Sequence, residues 1–114
     1  MVAAPRHVYS AVIKNQTHHD LQLKATYEMP HGSIDHFEVL IPAQGLVALP
    51  QRLVTEDACT LTGHIVHISV TGENMSAEIK GPYNVHSPTK DHPFVICATE
   101  TGLLMSEGHD APTA

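Results

Sequence analysis

From Leu21 to Met29 apolar and polar side chains alternate without a break, Leu21, Leu23, Ala25, Tyr27 and Met29 against Gln22, Lys24, Thr26 and Glu28. Only an extended strand puts every second side chain on one face, so the segment predicts a strand with one face buried. The same period recurs in Ile34–Ile41, where Phe37, Val39 and Ile41 oppose His36 and Glu38, and in Met75–Lys80, where Met75, Ala77 and Ile79 oppose Ser76, Glu78 and Lys80. His7–Lys14 and Phe94–Thr99 are apolar on both parities, and the second reads as a central strand. Leu46–Leu49 is short and closed by Pro50, whose missing N–H confines it to a strand end or edge.

Between these runs lie turn signals: Asn15–Asp20, Pro30–Ser33, Pro42–Gly45, the polar Thr55–Ala58, and the hairpin-type Thr71–Asn74. Cys59–Val70 is long for a strand and changes apolar parity, since Leu61 and Ile65 are odd-numbered whereas Val66, Ile68 and Val70 are even-numbered. That shift predicts a β-bulge near Gly63–Val66, or burial on both faces. Leu103–Met105 adds an eighth short strand, and Ser106–Ala114 is a polar tail expected to be disordered. No window carries a 3.6-residue apolar period.

The pattern therefore predicts an all-β chain without substantial helix: a single antiparallel β-sandwich of seven or eight short strands, of the Ig-like, C2-like or jelly-roll kind, over residues 1–105, with 106–114 as tail. A length of 114 residues suits one domain. With no Trp and only five Phe and Tyr residues in all, aliphatic side chains must fill most of the core.

Charge and processing signals narrow the function classes. The formal charge is −6, and the six Lys and Arg are scattered without a basic stripe, which argues against nucleic-acid binding. The start lacks the apolar run of a signal peptide, residue 2 is Val rather than Gly, and no stretch approaches a membrane span. A cytoplasmic protein without direct membrane insertion is expected, with Cys59 and Cys97 as reduced, buried thiols and the Asn15-Gln16-Thr17 and Asn74-Met75-Ser76 patterns as ordinary turn residues. Ser33-Ile34-Asp35-His36 holds triad residue types, but strand neighbours diverge and no nucleophile elbow accompanies them, so no enzyme is expected.

Ten histidines stand out in a chain this small. If each strand crosses the sandwich once, loops 30–33, 55–58 and 81–93 collect at the end holding the chain start, and 15–20, 42–45 and 71–74 at the other. His31, His86 and His92 then share one end with Glu56, Asp57 and Asp91, ligand types suited to Zn²⁺. His64 and His67 of one strand are expected to point apart, and His18 and His19 occupy a turn. Protonating all ten would carry the formal charge from −6 to about +4, so a pH response is a further reading.

The segment 81–93 is the longest stretch outside the strands and holds three of the eight prolines. Long loops in compact domains are disproportionately functional, and proline lowers the ordering cost of docking. Tyr83, His86, Ser87, Lys90 and His92 are its candidate contact residues, with Tyr83 as an interface anchor and Ser87-Pro88 as a pattern for a proline-directed kinase. The expectation is a non-enzymatic, cofactor-free interaction domain, a monomer or weak dimer, that binds a protein through its end loops, chiefly 81–93 with 30–33 and 55–58 beside it. The second reading is a small Zn-type metal-binding protein using His31, His86 and His92.

Overall fold

The computed structural model describes residues 6–108. Among them are ten strands and no helix: β1 Ala11–Asn15, β2 Leu21–Glu28, β3 Ile34–Ile41, β4 Leu46–Leu49, β5 Leu53–Glu56, β6 Cys59–Thr62, β7 His64–Gly72, β8 Met75–Lys80, β9 His92–Thr99 and β10 Gly102–Glu107. They form two four-stranded sheets, ordered β10-β9-β1-β4 and β3-β2-β7-β8, and a separate two-stranded sheet, β5-β6.

Both four-stranded sheets contribute to one hydrophobic core. Ala11, Ile13, Leu49, Phe94, Ile96 and Met105 come from the first, and Leu21, Leu23, Ala25, Tyr27, Ile41, Ile65, Ile68 and Val70 from the second. The unbroken alternation of β2 has the predicted meaning: its odd-numbered residues are fully buried and its even-numbered ones mostly exposed. Burial of its aliphatic positions stabilises the fold by roughly 1.5–3 kcal/mol per large side chain.

The parity change in the 59–70 region has two causes. Gly63 separates β6 from β7, and in β7 the pairing passes from Thr26–His67 to Tyr27–Ile65, leaving Val66 as an extra residue. That bulge lets Ile65, Ile68 and Val70 all enter the core despite their numbering. A consequence contradicts the sequence expectation for His64 and His67. With Ile65 and Ile68 both inward, the two histidines beside them share the outer face.

Three features depart from a single antiparallel sandwich. First, β9 pairs with β1 in parallel, Ala11 opposite His92 and Ile13 opposite Phe94. β8 ends at Lys80 at the end where β1 begins, and the connection 81–91 crosses to the other sheet at that same end, so β9 starts level with β1. Second, Thr55 and Glu56 are strand residues, not loop, because Asp57 and Ala58, with φ of 48° and 66°, close a two-residue hairpin between β5 and β6. Third, His7–Ser10 is not part of a strand. Its backbone is committed elsewhere: Ile65 N–H donates to the Val8 carbonyl, Thr89 N–H to that of His7, and Tyr9 N–H to that of Thr89, at 2.8, 2.9 and 2.8 Å.

Strand boundaries also move. His92 and Pro93 belong to β9, which shortens the connecting loop to 81–91, and β10 includes Ser106 and Glu107, two residues past the boundary placed at Met105. The remainder of the expected tail, from residue 109, lies outside the described residues.

Candidate functional site

The strand registers place Ala11, Glu28, Ile34, Leu49, His64, Lys80 and His92 at one end of the two sheets. At this end lie the 29–33 turn, the β5–β6 hairpin and the 81–91 loop, the grouping that strand parity predicts. The short β4 does cross, because it pairs with β1 along its whole length.

The hairpin is the most exposed element of this end. Among the described residues it pairs only with itself, and Leu53 is 58% exposed, with Thr55, Glu56, Cys59 and Thr60 also on the surface. Its base is held firmly. Gly63 N–H donates to the Arg52 carbonyl at 2.8 Å, the Tyr27 hydroxyl donates to the Pro50 carbonyl at 2.7 Å, and the Arg52 guanidinium lies over the rings of Tyr27 and Phe37 at 5.6 and 5.4 Å. Burial pushes the Tyr27 phenol up to about 12, Arg52 opposing and Asp35 adding to the shift. Near the tip, the Glu56 carboxylate contacts the His31 imidazole and so ties the hairpin to the 29–33 turn.

The 81–91 loop is anchored rather than free. Tyr83 is 2% exposed and Val85 is buried, so Tyr83 is a core residue and not the surface anchor the sequence suggested. Its ring meets Phe94 edge to face, with centroids 5.4 Å apart. Burial, and secondarily Glu107, push its phenol well above the ordinary value. Glu107 holds the loop's base by accepting from Asn84 N–H at 2.7 Å and pairing with His92 at 2.7 Å. At the other base, Ser10 Oγ bridges to Asp91, accepting from its N–H at 2.7 Å. His86, Ser87, Pro88 and Lys90 remain exposed between these fixed points.

His31, His86 and His92 do not converge. His31 is engaged with Glu56, His92 with Glu107, and His86 is exposed on the loop; among the described residues no three His, Cys, Asp or Glu side chains gather to hold a metal ion. Pairing with carboxylates absorbs several of the histidines, including His67 with Glu78 at 2.8 Å, whose hydrogen bond and charge hold the Glu78 carboxyl below its ordinary value.

Two further placements differ from expectation. The cysteines are unpaired but not buried: Cys59 follows the hairpin turn and is exposed, while Cys97 alternates outward from Phe94 and Ile96 and is half-buried. Asn15, expected as an ordinary turn residue, is the last residue of β1 and is fully buried.

A contact that sequence reasoning missed lies beside the loop. His7 and His64 stack with centroids 3.7 Å apart and planes within 3°. Burial, followed by the charge of His7, lowers the affinity of His64 for a proton, with Glu28 opposing. The pair separates two surface concavities, one of about 320 Å³ that also touches Arg6, Val66, Pro82 and Tyr83, and one of about 580 Å³ that includes Glu28. The parity change near Val66 was the available signal, because the bulge turns His64 outward.

No described helix is long and apolar enough to cross a membrane. Comparison with protein-family models, with curated proteins and with solved structures finds no match.

Proposed function

We propose that the protein is a non-enzymatic, cytoplasmic interaction domain of β-sandwich type that binds a protein partner through the end carrying the β5–β6 hairpin, the 29–33 turn and the exposed part of the 81–91 loop. The observation that carries this reading is the hairpin, which projects Leu53 to solvent from a braced base instead of adding its strands to either larger sheet. Apolar side chains held on rigid elements beside polar loops are the usual constitution of a binding surface, because little conformational freedom is lost on docking. His86, Ser87 and Lys90 supply the adjacent polar contacts, with His92 and Tyr83 acting from beneath by fixing the loop. Phosphorylation of Ser87 would place negative charge next to His86 and alter that rim. The domain is a monomer or weak dimer in this reading and uses no cofactor.

Affinity capture with the wild-type protein and with the triple variant Leu53→Ser, His86→Ala and Lys90→Ala tests it. All three side chains are exposed, so the fold is retained. A partner recovered with the wild type should be lost with the triple variant and kept with Glu73→Ala, which alters the β7–β8 turn at the opposite end. Equal recovery with the triple variant contradicts the reading.

A further inference from the structure

The concavity between the His7–His64 stack and the start of the 81–91 loop has an unusual lining for an acidic chain. Arg6, His7 and His64 bring three groups able to carry positive charge, no carboxylate joins them among the described lining residues, and Val66, Pro82 and Tyr83 supply apolar and aromatic wall. Glu28, the acid paired across from His64, lines the larger concavity on the other side of the stack. The site is built on fixed backbone: Gly81 N–H donates to the carbonyl of the bulged Val66 at 3.0 Å, and Ile65 N–H to that of Val8 at 2.8 Å. A volume of about 320 Å³ lies at the lower end of small-molecule sites.

We propose that this concavity binds a small organic carboxylate, its charged group against Arg6 and the His7–His64 pair and its apolar or aromatic body against Val66, Pro82 and Tyr83. A guanidinium and imidazole N–H groups give charge-assisted hydrogen bonds to a carboxylate. The wall favours an organic anion over an inorganic one. Because stacked imidazoles resist a second positive charge, a bound anion relieves the repulsion, and binding is linked to proton uptake. The charged and titratable groups that line the two concavities beside the pair are Arg6, Glu28, Tyr83 and Tyr9, the ring of Tyr9 lying edge-on to that of His7 with centroids 6.2 Å apart.

Benzoate is the probe, with benzyl alcohol as neutral isostere and inorganic phosphate as the anion without an apolar body. Calorimetry gives the affinity, and imidazole carbon-bound proton resonances report the place. Saturable benzoate binding should move the His7 and His64 resonances first, tighten about fivefold from about pH 7.5 to about pH 6, and weaken about tenfold in Arg6→Gln. His64→Gln should remove most of the pH dependence while its amide spectrum remains that of the folded chain. Should His64→Gln fail to fold, the exposed Arg6→Gln decides the outcome alone. Benzyl alcohol or phosphate binding as tightly as benzoate, an Arg6→Gln affinity equal to wild type, or no response at His7 and His64 overturns the proposal. Absence of benzoate binding does not touch partner capture through the hairpin.

Discussion

His7 and His64 lie face to face, their ring centroids 3.7 Å apart and their planes within 3°. This contact joins the chain start to β7 beside the bulge, where the main chain of Val8 and Thr89 links β7 to the 81–91 loop. Acid should loosen that junction. His64 in the folded chain binds a proton less readily than an unfolded imidazole, so its contribution to stability is complete above the unfolded value near pH 6.5 and is lost as pH falls through the folded value. Thermal unfolding followed from about pH 7.5 to about pH 5 should show wild type losing more stability than His64→Gln. Parallel curves would refute the contact's role.

Tyr27 makes the opposite prediction at alkaline pH. Its phenol is raised to about 12, above the unfolded value of 10.0, so the stability it contributes is present below 10 and falls away as pH rises from 10 towards 12. Tyr27→Phe should cost about 1 kcal/mol at neutral pH through the lost bond to the Pro50 carbonyl. Denaturant titrations at neutral pH and at about pH 11 should converge for the two proteins as the pH rises.

Asn15 is the polar hub of the opposite end. Its Nδ2 reaches the carbonyls of His19, Ile41 and Pro42 at 2.8, 3.2 and 3.1 Å, and its Oδ1 accepts from Thr17 N–H and Oγ1 at 3.0 and 2.7 Å. Asn15→Ala takes the acceptor from the buried Thr17 N–H and Oγ1 and the donor from the buried Ile41 carbonyl, whereas the carbonyls of Pro42 and His19 keep Gly45 N–H and Thr17 Oγ1 as donors; the expected loss in chemical denaturation is about 2 kcal/mol. A loss no larger than that of an exposed substitution such as Glu73→Ala would show the hub to be dispensable.

Ala58 occupies the left-handed region, φ 66°, in the β5–β6 turn. A side-chain-bearing residue there costs about 1 kcal/mol, and the site is exposed. Ala58→Gly should therefore raise the melting temperature, and Ala58→Val, with branching at Cβ, should lower it. Protease nicking of the hairpin should follow the same order.

The elements that alternate strictly, β2 and β8, were legible because each has one buried and one solvated face. The bulge in β7 was legible too, since a break in parity has few other physical meanings. Pairing direction was not: the apolar run at Phe94 suits a parallel neighbour as well as an antiparallel one, and the parallel β1–β9 pair follows from where the long loop returns. The hairpin was hidden for another reason. Leu53, Val54, Cys59 and Leu61 have the composition of core strands, yet the hairpin pairs with neither larger sheet. For the candidate site, the sharing of one end by 29–33, the hairpin and 81–91 came from strand parity. The burial of Tyr83 and the engagement of His31 and His92 by separate carboxylates depend on tertiary contacts that spacing cannot supply.

The claim that this end is the binding surface is tested most directly by photo-crosslinking in cells, with a photoreactive residue at His86 or Leu53 and, as control, at Glu73 in the β7–β8 turn. A discrete protein adduct is expected from His86 and Leu53 and none from Glu73. Adducts of equal yield from Glu73, or none from His86 and Leu53, would contradict it.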